Sequence, residues 1–233
     1  MKPVAQAGRA AWLGIVGLAC GSVAAVAQVV TPPPGNAQEA ALAKAVAYSK
    51  TEAYKKLVAQ AVARVPASVA PRCARFGTSL GAFDIAQPLQ IAAGANPTGG
   101  AWHQAVTTQG CGDDITLNFY FFANLDGRVS TVVGVPGTTR ADLVQQRDAR
   151  TYALLALAPS AAGCGQFETL STRFEGFGSK LPPVADPGAD TPFRPWWESW
   201  TLQGCGKRYE VPLNFMPNRL GTQIVQPGGI VPR

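Results

Sequence analysis

Few side chains in this sequence have the types and spacing that catalysis requires. His103 is the only histidine, so Ser-His or Cys-His nucleophilic catalysis would have to use it. We identify no Gly-x-Ser-x-Gly nucleophile elbow and interpret His103 as a surface histidine without a catalytic role. A small exported hydrolase remains the alternative to a protein that only binds.

Acidic and metal-binding patterns are equally sparse. Asp113 and Asp114 follow Cys111, and the corresponding place after Cys205 holds a basic pair, Lys207-Arg208. Either the two pairs form a charge contact, or both are solvated turns, which we favour because Asp is common in turns. The sequence contains no EF-hand, zinc-finger or Walker pattern. We therefore predict no cofactor and no metal site.

Strand parity separates two sets of residues around the tryptophans. Alternation predicts one face as core, with four large anchors, Trp102, Val106, Trp196 and Trp200. The opposite faces carry the candidate binding positions His103, Gln109, Trp197 and Gln203. An outward Trp197 beside Thr and Gln could stack on a sugar or anchor a protein partner. The alternative is that Trp197 packs between the two halves of the chain.

An internal repeat organises these positions. An offset of 94 residues aligns Cys111 with Cys205 without a gap, and the window from Trp102 to Gly127 then contains nine identities in 26 residues. The identities include Trp102 with Trp196 and the segments Gln-Gly-Cys-Gly. Chance explains such a match poorly, and repeats of this kind decide the architecture. The sequence therefore predicts two tandem units, residues 28–137 and 138–233.

Each unit shows the same order of elements. Apolar spacing predicts a helix over residues 37–64 in the first unit and over 140–157 in the second, with capping boxes starting at Asn36 and Thr139. Proline ends each helix, at Pro66 and Pro159. Alternating residues on both sides of each Gly-Cys-Gly turn predict strands. We expect an α+β fold in which a helix covers an antiparallel meander in each unit.

The four cysteines after the leader favour one disulfide in each unit. An even number in an exported chain indicates a disulfide framework. The repeat favours two bonds within the units, namely Cys73–Cys111 and Cys164–Cys205. Pairing between the units is the alternative, whereas metal binding is disfavoured because no Cys-x-x-Cys pair occurs.

The N-terminus has the pattern of a secretory signal. Lys2 and Arg9 precede an apolar stretch, and Ala25-Val26-Ala27 ends in small residues, which predicts cleavage before Gln28. The alternatives are a membrane anchor and a lipid anchor on Cys20. We predict a signal peptide over residues 1–27 and a periplasmic or secreted protein with no integral membrane segment in the mature chain.

The scattered arrangement of the basic residues argues against a nucleic-acid partner. The chain carries 20 basic and 14 acidic residues, and without Lys2 and Arg9 the mature part has a net charge of +4. The basic residues are scattered, so no stripe follows a phosphate backbone. We expect a non-enzymatic binding protein that recognises a protein or a glycan, with an enzyme inhibitor as a variant of that class.

One motif resembles a known group. Trp196-Trp197-Glu198-Ser199-Trp200, followed by Gly204-Cys205-Gly206 and a Pro-Asn-x-x-Gly turn, resembles a motif in uncharacterised exported proteins of proteobacteria. It covers about 30 residues per unit, and the first unit departs from it at Val106. The resemblance implies export and implies no particular activity.

Overall fold

Three helices and ten strands build the described part of the chain, in the order α1, α2, β1–β5, α3 and β6–β10. The computed structural model describes residues 35–70, 73, 75–91, 96–110, 112–179, 185–188, 193–225 and 231–232. The predicted signal peptide and Cys20 lie outside the described residues. None of the described helices is long and apolar enough to cross a membrane.

The first helical segment is divided, whereas the sequence predicted one helix over residues 37–64. Helix α1 spans Gly35–Ser49 and α2 spans Glu52–Val62. Thr51 divides them because its extended backbone and its side chain, which accepts a hydrogen bond from the Tyr54 N–H, cap α2. The predicted capping position Asn36 therefore lies inside α1.

Helix α3 spans Leu143–Leu157 and begins three residues later than predicted. Asp142 is the N-cap, and its side chain and that of Gln145 satisfy each other's backbone N–H groups. Thr139, the predicted cap, instead donates its hydroxyl to Glu198. The capping box was thus predicted in the right segment but at the wrong residue.

The first sheet is an antiparallel meander. Strands β1 (Gly77–Gln90), β2 (Gly99–Gln109), β3 (Ile115–Ala123) and β4 (Val129–Val133) pair in chain order. Pairing of Trp102 with Phe121 sets the register between β2 and β3. Three register shifts interrupt the pairing of β1 with β2, all of them after Leu80. Strand β1 lies at the sheet edge.

The second sheet is mixed. Strands β6 (Glu168–Phe177), β7 (Trp196–Gly204) and β8 (Lys207–Asn218) pair antiparallel, and β9 (Gly221–Val225) and β10 (Val231–Pro232) share the outer edge of β8. The short strand β5 (Gly137–Thr138) pairs parallel to β6 at the other edge. Trp196 pairs with Phe215, as Trp102 pairs with Phe121 in the first sheet.

Each sheet buries one face under a helix. The first core joins α2 to β2 and β3 and the second joins α3 to β7 and β8. The predicted core anchors are confirmed, because Trp102, Val106 and Trp200 are at most 1% exposed and Trp196 is 8% exposed. The fold class is therefore α+β, as the sequence predicted.

The disulfide of the second sheet joins Cys164 to Cys205, as predicted. This bond excludes any pairing of Cys73 with Cys164 or Cys205. Cys73 is itself disulfide-bonded, and its Sγ lies 3.7 Å from the carbonyl oxygen of Gly110. Its predicted partner, Cys111, lies outside the described residues.

Candidate functional site

The four predicted binding positions lie on two sheets, two on each. His103 and Gln109 belong to β2, and Trp197 and Gln203 belong to β7. Both glutamines are exposed, whereas His103 and Trp197 are half-buried. The prediction that these residues lie opposite the core anchors agrees with the strand parity of both sheets.

His103 belongs to a hydrogen-bond network beneath the connection between β4 and α3. Its Nε2 lies 3.0 Å from Oδ1 of Asn118, whose amide nitrogen donates to the carbonyl oxygens of Val135 and Gly137. Because that nitrogen already donates twice, Oδ1 is the acceptor and the Nε2 of His103 carries the proton. The histidine therefore helps to fix the connection at Val135–Gly137.

A serine motif appears on β1 that the sequence reasoning overlooked. Residues 77–81 read Gly-Thr-Ser-Leu-Gly, the letters of a nucleophile elbow. Ser79 nevertheless lies inside β1, paired with Thr107, and no helix follows it. His103 lies four residues from Thr107 along β2. At strand spacing this separates His103 from the position opposite Ser79 by about 13 Å. The statement that no Gly-x-Ser-x-Gly pattern occurs was therefore wrong, although this copy of the pattern lacks the strand-turn-helix geometry of a nucleophile elbow.

Trp197 is half-buried on β7. Its cross-strand neighbours are Gly176 on β6 and Asn214 on β8. A side chain carbon at Gly176 would come within 3.8 Å of the indole nitrogen. The glycine thus leaves space beside the ring on this face of the sheet.

A cationic and aromatic surface lies at the same end of the second sheet. The guanidinium of Arg194 lies 3.3 Å from the ring centroid of Phe177, and that of Arg140 lies 4.9 Å from it. Arg194 also binds the carboxylate of Asp186 with both ends of its fork. Hydrogen bonds from Arg194 and from the Gly188 N–H lower the pKa of Asp186 to about 2.

Gln203 lines an open cleft of about 810 Å³ beside the disulfide. Gly204 is required there because a side chain carbon at this position would come within 2.4 Å of the Phe167 ring. Arg150 donates to the carbonyl oxygen of Phe167 at 3.1 Å and also lines the cleft. Gln203 is thus a predicted binding residue that lines a cleft.

A buried carboxylate holds the second sheet to the start of α3. Glu198 is fully buried and accepts hydrogen bonds at 2.9 Å from the indole nitrogens of Trp196 and Trp200. The Thr139 hydroxyl and the Arg140 N–H also donate to it at 2.9 Å. The spacing Trp-x-Glu-x-Trp on one strand places all three side chains on the same face, which is the sequence signal for this cluster.

The first sheet has a neutral counterpart at the aligned position. Gln104 is 1% exposed and accepts a hydrogen bond from the Tyr54 hydroxyl, to which the Trp102 indole nitrogen donates. Burial raises the pKa of Tyr54. Each sheet thus has a buried polar residue between its two core anchors, Trp102 and Val106 in the first sheet and Trp196 and Trp200 in the second.

An apolar groove lies between α2 and the first part of β1. Its volume is about 620 Å³, within the range of ligand pockets. Val58 and Val62 of α2 form one wall, and Phe76 and Leu80 form the other. Phe76 and Leu80 are 38% and 40% exposed, which is high for large apolar side chains in contact with a core.

The backbone beside this groove is open. Within the described residues β1 pairs only with β2, so its other edge presents unpaired N–H and C=O groups. Pairing is regular from Gly77 to Leu80 and shifts in register after that. Sequence reasoning missed this site because it did not recognise β1 as a strand.

Among the described residues no group of three or more His, Cys, Asp or Glu side chains could hold a metal ion. Comparison of the chain with protein-family models, with curated proteins and with solved structures found no match. The functional assignment therefore depends on the geometry of these surfaces.

Proposed function

We propose that this protein is an exported, non-enzymatic binding protein that holds an extended peptide segment of a partner protein along the open edge of β1. The observation that carries this proposal is the coincidence of a regular, unpaired strand edge, Gly77–Leu80, with the apolar groove under α2. Main-chain hydrogen bonds would supply affinity and the groove would select side chains.

The groove lies on one side of that edge. Phe76, Thr78 and Leu80 line it and are alternate residues of the extended chain. An added strand would also point alternate side chains to this face, where they would cover Phe76 and Leu80 and contact Val58 and Val62. The partner segment therefore needs apolar residues at every second position.

The chain segment that forms the groove is basic, and this charge selects the side chains of the partner peptide that lie between its apolar residues. The described residues between Ser49 and Leu80 include one acidic side chain, Glu52, and five basic ones, Lys50, Lys55, Lys56, Arg64 and Arg75. A peptide with Asp or Glu between its apolar residues complements this charge. Binding should weaken as ionic strength rises, because exposed charges are screened.

Only the first part of β1 suits an added strand. The register shifts between Leu80 and Phe83, between Ile85 and Gln87, and between Gln87 and Gln90 bend the edge away from regular pairing. Pro88 also lacks an N–H group. These features limit the partner to a short segment and protect the rest of the edge against uncontrolled association.

We further propose that the two sheets descend from a duplicated unit with a signal peptide before it. Support for duplication comes from the register, since the β2–β3 and β7–β8 pairings coincide at the 94-residue offset from Trp102 with Phe121 to Thr108 with Ile115. In the second sheet the two-residue strand β5 pairs with Thr172 and Arg173 in the middle of β6, a pairing that β1 lacks at its outer edge among the described residues.

Selection of random displayed peptides on the exported protein tests the binding proposal. We expect enrichment of sequences that alternate apolar with acidic residues. Leu80→Glu should weaken the selected peptides at least tenfold, because it places a charge in the groove. Leu220→Glu is the matched control, since Leu220 is fully exposed on the turn before β9. Both variants should melt near the wild-type temperature.

Selected peptides without alternation would contradict the proposal, as would equal affinity for Leu80→Glu and wild type. Failure to enrich any peptide family would also overturn it. Hydrolysis of the selected peptides by the wild-type protein would show that it is a hydrolase rather than a binding protein.

A further inference from the structure

A further cleft lies between α3, the start of β6 and the connection that follows β4, and Pro66 and Val69 from the segment after α2 also line it. Its volume is about 440 Å³, within the range of pockets for small ligands. Val133, Val135 and Leu143 supply an apolar wall. Arg147, Arg150 and Thr169 supply polar groups.

Thr169 has a hydroxyl group that the protein leaves without a partner. The residue is 9% exposed, and its Oγ1 is buried with no hydrogen bond. Thr172 on the same strand is 3% exposed, and its Oγ1 donates to the carbonyl oxygen of Pro136 at 2.7 Å. Because buried hydroxyl groups are normally paired, a hydroxyl without a partner among the described residues, on a residue that lines the cleft, indicates a place for a ligand atom.

The cationic groups of the cleft also have donors to spare. Within the described residues, Arg150 donates one hydrogen bond, to the carbonyl oxygen of Phe167, and has no ion pair. Arg147, one helical turn earlier, contacts only its neighbour Asp148. Guanidinium groups have five N–H donors in a planar fork that matches a carboxylate.

We infer that this cleft binds a small carboxylate with an apolar body. Arg150, assisted by Arg147, would hold the carboxylate, the Thr169 hydroxyl would donate to one of its oxygens, and the chain would contact Val133, Val135 and Leu143. The site is separate from the β1 groove and does not depend on the proposed peptide binding.

Glu168 lines the same cleft and decides between two sources of that carboxylate. A simple carboxylic acid would bind through the arginines alone. An apolar amino acid also carries an ammonium group, which can donate a hydrogen bond to the Glu168 carboxylate. Hexanoate and norleucine share the chain length and the carboxylate and differ in that ammonium group. Glu168→Gln should remove any advantage of norleucine over hexanoate.

Calorimetric titration of the exported protein with hexanoate, norleucine and uncharged hexanamide tests the inference. We expect at least one carboxylate to bind and hexanamide to bind at least tenfold more weakly. Arg150→Met should weaken carboxylate binding at least tenfold. Thr169→Val should weaken it severalfold without lowering the melting temperature, because no intramolecular hydrogen bond is lost.

Thr172→Val is the matched control. It removes the hydrogen bond to Pro136, so it should lower the melting temperature and leave carboxylate affinity unchanged. Binding of hexanamide as tightly as the carboxylates, no binding of either carboxylate, or wild-type affinity in Arg150→Met or Thr169→Val would overturn the inference.

Discussion

Replacing Glu198 by glutamine tests how the second sheet is held to α3. The carboxylate accepts from two indole nitrogens, a hydroxyl and a backbone N–H, all at about 2.9 Å. A glutamine has the same shape, but its amide nitrogen only donates. The amide nitrogen must therefore face the indole of either Trp196 or Trp200, and that indole N–H loses its acceptor.

The expected loss follows from those contacts. A buried donor left unpaired costs about 1–3 kcal/mol, and the remaining hydrogen bonds lose charge assistance, about 1 kcal/mol each. Relief of the desolvation of the buried charge acts in the opposite direction. It is the smaller effect because four donors already compensate that charge. We expect Glu198→Gln to lower the free energy of unfolding by about 2 kcal/mol.

Urea unfolding followed by far-ultraviolet circular dichroism measures this change with the disulfides intact. Glu39→Gln on α1 is the control, because Glu39 is exposed, and it should change the free energy by less than about 0.5 kcal/mol. In a Trp200→Phe background, Glu198→Gln should cost about 1 kcal/mol less, because the indole donor is gone. A Glu198→Gln protein as stable as the control would refute the reasoning.

Two further results are expected. The carboxyl of Asp186 should titrate near pH 2 by nuclear magnetic resonance, and Arg194→Met should return it toward 3.8, its ordinary value. Since the pKa of Asp186 is lowered in the folded protein, the stabilisation from its ion pair is present above pH 3.8 and is lost as the pH falls toward 2. An unchanged titration midpoint of Asp186 in Arg194→Met would count against the ion pair. Cys205→Ser should lower the free energy of unfolding by about 4 kcal/mol in the chain-entropy model, because the bond joins residues separated by 41 positions. Equal denaturation midpoints under non-reducing conditions would contradict this.

Local patterns were sufficient for the elements that form the two cores. Alternating residues around Trp102 and Trp196 predicted β2, β3, β7 and β8 and the face that each strand buries. The Gly204-Cys205-Gly206 turn was predicted because glycine reaches left-handed backbone angles, and Gly206 has a φ of 77°. Pairing of Cys164 with Cys205 followed from the repeat.

Strands β1 and β6 were not predicted, and their absence from the prediction hid both proposed sites. Strand β1 is mostly exposed and interrupted by register shifts, so it lacks the alternation that marks a half-buried strand. Its strand character comes from pairing with β2. Alternation of apolar and polar residues reflects burial of one face of a strand. A strand that is held by backbone hydrogen bonds at an exposed sheet edge therefore shows little alternation.

The sequence by itself determined which residues enter the cores and where the chain turns, because these depend on period and glycine geometry, and it favoured the pairing of Cys164 with Cys205. Only the tertiary structure decided that Thr139 reaches Glu198, that Thr169 has no partner while Thr172 has one, and that the first sheet keeps an open edge. Those features depend on contacts between residues distant in the chain. Such contacts form only when the sheets pack, and no local pattern encodes them.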